Sequence, residues 1–555
     1  MHSAVLHLRG HELTCQPIID TCNNILCWNG EVFGMDEIKD EDKWDPMHDN
    51  DTILISEMLQ AAAEKLTSEA TLRNETSDPV VDVLRRVRGP FAITWFHEAT
   101  KRIYFAHDRF GRRSLLYNVH GNSMEEKCRV DILANLAGTV TASTKISIND
   151  LTRFVLSNVA IGEGSEDLCQ YNEVPASGVY VLGLSAYTVT TNGDLPSFRI
   201  EFFPYTPIIP TLTVTSSASS HIMDRFGTRL PSITNEAGIL AQENLESLYS
   251  SACALLVALS NAVGIRIRSL PSRSFEKKSS SAQVAILFSG GIDSVVLAAL
   301  SHFHTRPNEP IDLLTVCFDE HSAFKSPDRR AAETSHAELC RLYPKRQWNL
   351  IKINVSRREL SSAQHEVQTL MAPCDTHMDF NIGAAFWFLS RGCGELSESS
   401  KTQSMYSTSA SVVLVGIGAD EQLAGYGRHR TTLLTKGEEA LRAELEMECT
   451  RIWKRNLGRD DRCIAAHGRE ARFPYLDEQV VATIASFSVS SLCDAHLPRG
   501  IGEKRALRLV AKALGLSKCA NLAKRAIQFG SRIAKVSIKG SVRQTHGNDK
   551  FLNFE

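Results

Sequence analysis

The sequence predicts two successive folded units of different class. In the first 190 residues, short apolar runs are separated by turn signals, which indicates an α+β unit with largely antiparallel sheets. In the C-terminal half, apolar runs alternate with helical patterns, which is typical of an α/β unit with a parallel sheet covered on both faces. The expected boundaries are 1–190 and 284–540, with 191–283 as a connecting segment and 541–555 as a tail.

Composition excludes several classes of protein. The chain has 555 residues, a net charge of −3 and fourteen cysteines without CxxC pairs. This length suggests more than one core, the charge gives no global attraction to nucleic acid or membrane, and the cysteine usage fits a reducing compartment. No window approaches the ~20 apolar residues of a membrane span, and the N-terminus lacks the apolar core of a secretory signal. We therefore expect a cytoplasmic protein with no nucleic-acid or membrane partner.

Five strand-like runs and one helical pattern define the first unit. The helix is expected from Asp51 to Lys65, because apolar residues recur there at helical spacing. The strands are expected within NILCWNGEVFG, GPFAITWFHEAT, RIYFAHDRFG, SLLYNVHG and SGVYVLGLS.

The connecting segment combines a linker with one helix. Prolines, serines and threonines dominate from Pro204 to Thr234, and a helix is expected from about Asn244 to Arg266. Four apolar strands follow in the second unit, namely AILF, LLTVCF, NLIKINV and SVVLVGIG, and a basic helical segment runs from Glu503 to Lys535. Ligands of such sheets bind beyond the carboxyl ends of the strands.

The stretch AILFSGGIDSVVLAAL, residues 285–300, is the most informative part of the chain. Two glycines allow a sharp turn with exposed N–H groups, and a helix N-terminus at Asp293-Ser294 adds partial positive charge, so this turn suits phosphate. No Lys-Ser/Thr follows, so it is not a GxxxxGK[ST] loop. An ordinary strand–turn–helix is the alternative, but the order strand, serine, glycine pair, aspartate and apolar helix favours the phosphate site.

A second glycine turn, VGIGADEQLAGYGRHR at 415–430, also follows an apolar strand. Asp420 and Glu421 would lie at the end of that strand, and carboxylate oxygens beside phosphate are what Mg²⁺ prefers. The alternative is that both acids serve only the helix dipole. With the SGGIDS loop in the same chain, we favour the metal.

These motifs together resemble the asparagine synthetase family. SGGIDS is similar to the pyrophosphate loop of ATP pyrophosphatases, and GIGADEQLAGY, SPDRRAA and HGREARFPYLDE follow the order of that family's synthetase domain. WNGEVF, HDRFGRRSLLY and EVPASGVYVL resemble its class II glutamine amidotransferase domain. FGRRSLL, EVPASG and KRAIQFGSRIAK are most similar to the subgroup of asparagine synthetase domain-containing proteins. The resemblance implies an Ntn-hydrolase-like first unit and an adenine-nucleotide alpha-hydrolase-like (PP-loop) second unit.

The resemblance also implies roles for individual residues of the second unit. Asp293 and Asp420 would bind Mg²⁺, and Lys524 would contact phosphate, although Arg525 is an alternative from the spacing. The residues expected to hold ATP and its pyrophosphate are Leu287, Ser289, Gly290, Gly291, Asp293, Ser294, Val316, Phe318, Gly416 and Gly418.

In the first unit, the resemblance implies a glutamine site. Arg9 would pair with the glutamine carboxylate, Asn29 and Gly30 would line the oxyanion hole, and Glu31 and Asp108 would hold the amino group. Asn-Gly is also the strongest short hairpin signal, so a plain turn is the alternative for Asn29-Gly30.

Two departures from the family pattern weigh on activity. The family's glutaminase nucleophile is a cysteine directly after the initiator methionine, with its own amino group as base, whereas residue 2 here is His2. No glutaminase nucleophile is therefore assignable, and we expect that half to be inactive; a truncated gene model and a natural short form are the two explanations. In the GxGxDE run, Ile417 stands where the family carries an acid, and an apolar residue cannot act as a base.

The resemblance implies an ATP-dependent, glutamine-using ligase that converts aspartate to asparagine through an acyl-adenylate. Its substrates would be ATP, aspartate and glutamine or ammonia, with Mg²⁺ as cofactor, and an oligomer is compatible with the sequence. The alternative is a nucleotide-binding protein that has lost catalysis and serves an interaction or regulatory role. An ATP pyrophosphatase acting on RNA is disfavoured because no basic patch with interleaved aromatic residues appears.

Overall fold

The structure is a computed structural model, and it describes residues 13–36, 50–66, 78–121, 132–138, 144–149, 151–162, 168, 170–184, 197–210, 242–270, 281–396, 405–537 and 549–550. The predicted glutamine-site residue Arg9, the residues around His2, most of the predicted linker and nearly all of the predicted tail lie outside these ranges.

The first unit is built on antiparallel sheets, as expected. A seven-stranded sheet has the order β1-β2-β5-β6-β11-β12-β8, a three-stranded sheet the order β10-β7-β9, and β3 pairs with β4; every pair is antiparallel. The strands are β1 Ile18–Ile19, β2 Ile25–Gly30, β3 Gly34–Met35, β4 Val87–Arg88, β5 Phe91–His97, β6 Arg102–His107, β7 Leu116–Gly121, β8 Thr144–Asn149, β9 Leu151–Ser157, β10 Asn172–Glu173, β11 Gly178–Gly183 and β12 Ser197–Pro204.

Two apolar layers cover the large sheet of this unit. On one face it packs against helices Asp51–Leu66 and Pro79–Arg86 through Leu59, Val80 and Trp95. On the other face Phe105 and Tyr180 stack in a cluster that joins it to the three-stranded sheet. A further short helix is Ile132–Gly138. The predicted strands and the first helix are confirmed, because period-2 and helical patterns mark half-buried elements well.

The second unit contains a seven-stranded mixed sheet of order β17-β16-β15-β14-β13-β18-β19. Strands β15, β14, β13, β18 and β19 run parallel, and β16 and β17 add an antiparallel hairpin at one edge. The strands are β13 Val284–Leu287, β14 Ile311–Cys317, β15 Trp348–Asn354, β16 Cys393–Leu396, β17 Met405–Ser407, β18 Val412–Leu414 and β19 Glu470–Arg472. A purely parallel sheet was therefore too simple an expectation, because β16 and β17 add an antiparallel hairpin. This hairpin and the parallel strand β19 were missed because they are short and polar and carry no apolar run.

Helices cover both faces of this sheet. Glu503 to Lys535, expected to be helical, contains three separate short helices with irregular segments between them. The α-helices are Gln242–Arg268, Ile292–His304, Pro327–Leu342, Arg357–Ser362, Gln364–Met371, His377–Arg391, Ala419–Gln422, Gly427–Lys436, Glu438–Thr450, Gly458–Ala465, Glu478–Ala485, Val489–Leu492, Arg505–Ala513, Ile527–Gly530 and Ile533–Ser537; shorter turns are Glu320–Ser322, Trp453–Leu457, Pro474–Leu476 and Cys519–Asn521.

One helix meets the length and hydropathy of a membrane span, which the sequence analysis did not anticipate. Within Gln242–Arg268, the stretch Leu245–Arg268 has a window of mean hydropathy 1.7, of which 67% is buried inside the protein. Leu255, Leu256 and Leu259 belong to the apolar cluster on one face of the mixed sheet. The apolar surface of this helix is therefore used in the core.

Candidate active site

The predicted phosphate loop leaves the carboxyl end of β13 and enters the helix Ile292–His304. Gly290 has a φ of +76°, and a methyl group built on it would lie 2.2 Å from the backbone nitrogen of Ala332. The helix Pro327–Leu342 therefore packs directly on the loop, and the Ser335 hydroxyl donates to the Gly290 carbonyl at 3.0 Å. Glycine is required here both by the left-handed backbone and by this close approach.

The second glycine turn lies against the first loop. A methyl group built on Gly416 would lie 3.1 Å from Cβ of Asp293. Gly418 has a φ of +95° and opens the short helix Ala419–Gln422, which carries Asp420 and Glu421 in its first turn. Because β13 and β18 are parallel neighbours, the turns that follow them meet at one edge of the sheet, as ligand sites of such sheets require.

A cavity of about 590 Å³ opens at this edge, and it collects most of the predicted nucleotide residues. Those that line it are Leu287, Ser289, Asp293, Ser294, Val316, Gly416, Asp420 and Lys524, together with Arg525 and Ile417. Gly290, Gly291 and Gly418 shape the two turns without lining the cavity. Phe318 is buried in the core, where its ring meets Phe388 edge-on.

Two lysines contact the aspartates that line the cavity. The ammonium of Lys504 is 2.6 Å from Asp293 Oδ1 and 2.7 Å from Asp420 Oδ1, and Lys524 bonds the other oxygen of Asp420. Lys504 is buried, and Gly425 makes room for it, because a methyl group there would lie 2.4 Å from Lys504 Cε. The two carboxylates thus converge on one small, positively charged volume.

This arrangement fits Mg²⁺ held jointly by protein and phosphate. Asp293 and Asp420 both bond the ammonium group of Lys504, so the two carboxylates already lie close enough to share one cation. Their hard oxygen donors suit Mg²⁺. Among the residues that the structure describes, no group of three or more His, Cys, Asp or Glu side chains forms a metal cage. An ion bound by these two aspartates would therefore take further ligands from phosphate and water, which is how Mg²⁺ is usually bound beside nucleotides.

A third aspartate of the cavity titrates abnormally. Burial raises the pKa of Asp328 to about 7, and the nearby Arg525 and Lys524 oppose that shift without cancelling it. Burial also lowers the pKa of Lys524, while Asp293 and Asp328 act in the opposite direction. Asp328 belongs to the SPDRRAA run, in which the Ser326 side chain caps the helix Pro327–Leu342. The cavity floor therefore holds acids and lysines whose charges depend on one another.

The opposite wall of the cavity is an apolar stripe on the helix His377–Arg391. Met378, Ile382, Phe386 and Leu389 recur at helical spacing and line the cavity on the side of Leu287 and Val316. Such a wall suits the flat apolar face of a nucleobase.

The polar end of the same wall contains a buried ion triplet. Arg459 bonds Asp379 through Nη1 and Asp460 through Nε, the second at 2.8 Å. The Thr376 side chain caps the helix at Asp379 N. Burial raises the pKa of Asp460 to about 6, with Arg459 opposing. The guanidinium of Arg459 is thus already balanced by two carboxylates.

Four of the five residues predicted for the glutamine site lie among the described residues of the first unit, and one of them, Glu31, contacts the second unit. Asn29 is exposed and Gly30 follows it at the end of β2. Glu31 is buried, 3.3 Å from the guanidinium of Arg472. Asp108 is buried and accepts hydrogen bonds from the Phe91 and Phe110 backbone and from Arg112. Both carboxylates therefore have arginine partners in this structure.

Two residues at or next to the cavity were not assigned a role from the sequence. Asp328 lines the cavity, and Lys504 does not line it but bonds Asp293 and Asp420, which do. Lys504 lies in a GEKRALR run far along the chain from both glycine turns, so no local pattern connected it to them. Only a non-local contact, at the start of the helix Arg505–Ala513, places it there.

Comparison with known proteins identifies the family of this chain. The asparagine synthase family model matches residues 267–437 and 433–532, and the glutamine amidotransferase domain model matches residues 4–125. The asparagine synthetase domain-containing protein 1 of Bos taurus is 35% identical over 96% of this chain and 88% of its own length. The chain belongs to the asparagine synthetase family.

Similar proteins of this family also occur in distantly related organisms. The asparagine synthetase domain-containing protein 1 of Homo sapiens is 34% identical over 96% of this chain and 87% of its own. An asparagine synthetase domain-containing protein of Saccharomyces cerevisiae is 29% identical over 99% of this chain and 85% of its own. Both units of the asparagine synthetase family are therefore represented in this chain.

Proposed function

We propose that this protein is an ATP-dependent amide ligase of asparagine synthetase type, with Mg-ATP bound in the cavity between the two glycine turns. The observation that carries the proposal is that Asp293 of the SGGIDS loop and Asp420 of the second turn both bond one ammonium group, that of Lys504. Phosphate oxygens would meet loop N–H groups, a helix N-terminus and lysine ammonium groups at one place. Leu287 and Val316, at the ends of adjacent parallel strands, would hold the adenosine.

The reaction would run in two steps. A substrate carboxylate oxygen attacks the α-phosphorus of ATP, and the bond to the bridging oxygen breaks, which releases pyrophosphate and leaves an acyl-adenylate. Ammonia then attacks the acyl carbon, AMP leaves, and the nitrogen loses a proton. Lys504 and Lys524 would balance the charge that accumulates on the departing pyrophosphate. Mg²⁺ held by Asp293 and Asp420 would supply further neutralisation of phosphate charge.

The acceptor is aspartate in this proposal, and ammonia is its nitrogen source. Ile417 lines the cavity at the turn where the family carries an acid, so this side chain cannot accept the proton that ammonia loses. Asp379 and Glu421 are carboxylates that also line the cavity. Asp379 pairs with Arg459, and Glu421 accepts from Gly418 N at 3.1 Å, so neither is an unengaged base.

The alternative, a nucleotide-binding protein without amidation, is favoured by one observation. Ile417 leaves the second step without its usual acid, whereas most of the residues proposed for ATP and both aspartates proposed for Mg²⁺ line the cavity. Such a protein would bind Mg-ATP and act through that bound state.

The decisive experiment measures pyrophosphate release from Mg-ATP by the purified chain with aspartate and ammonia. Asp293→Ala is the site variant, and Glu439→Ala, at an exposed position on the helix Glu438–Thr450, is the matched control. Aspartate-dependent release that Asp293→Ala reduces at least about a hundredfold, and Glu439→Ala retains, supports the ligase. Binding of Mg-ATP without release in any mixture supports the alternative, and the absence of both rejects a nucleotide function.

A further inference from the structure

A short turn at Pro474–Leu476 contacts both glycine loops of the cavity without lining it. The hydroxyl of Tyr475 donates a hydrogen bond of 3.1 Å to the Asp293 carbonyl, at the start of the helix that follows SGGIDS. Tyr475 is fully buried, so its hydroxyl is shielded from solvent. The phosphate loop is thereby tied to this turn by one specific bond.

The second glycine loop is tied to the same turn by packing and by one side-chain amide. A methyl group built on Gly418 would lie 2.6 Å from Cδ2 of Leu476, so the leucine presses on the backbone of the loop. Gln422 Nε2 donates to the Tyr475 carbonyl at 2.8 Å and to the Gly418 carbonyl at 2.9 Å. Both loops therefore take their relative position from Tyr475 and Leu476.

The turn itself is held by an arginine of the first unit. Arg112 is fully buried, and its Nη1 donates to the Leu476 carbonyl at 2.7 Å. The same guanidinium donates to the Gly89 carbonyl at 2.7 Å, pairs with Asp108 at 2.9 Å, and bonds Glu478, the residue that begins the next helix. All three nitrogens of this guanidinium are therefore bonded, two of them to groups of the first unit and two to groups of the second.

We propose that Arg112 of the first unit and Tyr475 of the second are positioning residues for ATP, acting through the turn Pro474–Leu476. The inference rests on the proposed nucleotide site. It gives the first unit a part in ATP binding that does not depend on glutamine hydrolysis. Neither residue touches the cavity, so each acts only through the geometry of the loops that hold phosphate.

The first test is Tyr475→Phe in the full chain, because it removes a single oxygen and keeps the ring that packs in the core. Affinities for ATP and AMP are measured by displacement of a fluorescent adenine nucleotide. One lost hydrogen bond to the pyrophosphate loop should weaken ATP about three- to tenfold. AMP, which lacks pyrophosphate, should change less than about twofold, so the ratio of the two affinities falls.

The second test compares two neighbouring buried arginines. Arg112→Met should lower the ratio of ATP to AMP affinity by about tenfold or more, because it releases the turn. Arg113→Met is the matched control: Arg113 is equally buried between the units but bonds the Ala471 carbonyl at 2.9 Å and Glu470 at 2.9 Å, away from the turn. It should destabilise the protein without changing the ratio.

The outcomes separate this inference from the proposed function. Absence of ATP binding by the unmodified chain overturns both. ATP binding with an unchanged ratio in Tyr475→Phe overturns the positioning role alone, as does an equal fall of the ratio in Arg112→Met and Arg113→Met. If Arg112→Met does not fold, the ratio in Tyr475→Phe still decides. A purely structural role would lower the stability and leave the ratio intact.

Discussion

The predicted glutamine site and the predicted nucleotide site both rely on carboxylates next to glycine turns, but the structure places these carboxylates in different environments. In the first unit, Glu31 and Asp108 are buried and held by Arg472 and Arg112, which join them to the second unit. In the second unit, Asp293 and Asp420 also hold cations, but they face a cavity. A carboxylate beside a glycine turn is therefore an interface residue in one half and a candidate ligand in the other.

The two sites differ in whether another cation can replace the basic side chain that neutralises the carboxylates. Arginine at the interface is fixed by several carbonyl and carboxylate bonds, and its removal would leave an uncompensated buried charge. Lys504, beside the cavity, has a single ammonium group on a flexible side chain. A hydrated or phosphate-bound metal ion can therefore take its place between the two aspartates. The structure thus predicts rigid pairs at the interface and exchangeable pairs at the cavity, and four variants test this contrast.

The largest expected effect comes from Arg472→Leu. Arg472 is fully buried between Glu31 at 3.3 Å and Glu470 at 2.6 Å. Its loss removes the arginine beside the buried Glu31, whereas Glu470 keeps Arg113 at 2.9 Å. The free energy of unfolding should fall by about 3–5 kcal/mol, measured by urea denaturation. Arg199→Leu is the control, because Arg199 is exposed and pairs with Glu201. Its loss should lower the free energy of unfolding by less than about 1 kcal/mol. Equal losses in the two variants would contradict the rigid interface.

Gly290→Ala should come next. A Cβ at this left-handed position would meet the backbone of Ala331 and Ala332, so the loop or the helix Pro327–Leu342 must shift. We expect a loss of roughly 1–3 kcal/mol in stability and the loss of measurable ATP binding. Gly427→Ala is the matched control, because nothing lies within 4 Å of its Cβ. Normal nucleotide binding by Gly290→Ala would show that this loop does not hold phosphate.

Lys504→Met tests whether the cavity carboxylates exchange their cation. Without the shared ammonium, Asp293 and Asp420 repel each other, and added Mg²⁺ should relieve the repulsion. MgCl₂ should stabilise the variant by about 1–2 kcal/mol more than the unmodified chain, as seen in thermal unfolding. The double variant with Asp293→Ala should lose this response. An identical response of Lys504→Met and the unmodified chain would count against a cation site.

The pH dependence contributed by Asp328 is the smallest effect when it is expressed per pH unit. Its pKa is raised from 3.8 to about 7 in the folded protein, so between these values the folded chain retains a proton that the unfolded chain has released. Stability from this residue is therefore full below about pH 4 and is lost as the pH rises to about 7. Relative to Asp328→Asn, the unmodified chain should lose about 1 kcal/mol per pH unit across that window. Parallel stability profiles would exclude the shift.

Much of the fold could be predicted because its elements carry strong local patterns. Apolar runs located β13, β14, β15 and β18, and short apolar runs between turn signals located β2, β5, β6, β7 and β11 of the first unit, whereas its other seven described strands were missed. The hairpin of β16 and β17 and the strand β19 were missed, since they are three or four residues long and contain Glu395, Ser407 and Arg472. Such strands form because their neighbours offer backbone partners, which is information that no single segment contains.

The candidate site was predictable where its chemistry is local. Ser289, Asp293 and Asp420 lie in glycine turns whose sequence indicates their use, and the structure brings them together. Lys504, Arg112 and Tyr475 could not be assigned, because their importance comes from contacts between distant segments. Phe318 illustrates the converse: its place after β14 suggested adenosine, but the fold directs its ring into the core.

The density of buried arginines between the units has a consequence for how this chain folds. Four of them are each at most 2% exposed and bond a group of the other unit, namely Arg112, Arg113, Arg462 and Arg472. If one unit unfolded alone, the other would expose these charges or keep them buried without partners. Melting should therefore be cooperative, and a calorimetric scan should show one heat-absorption peak for both units rather than two.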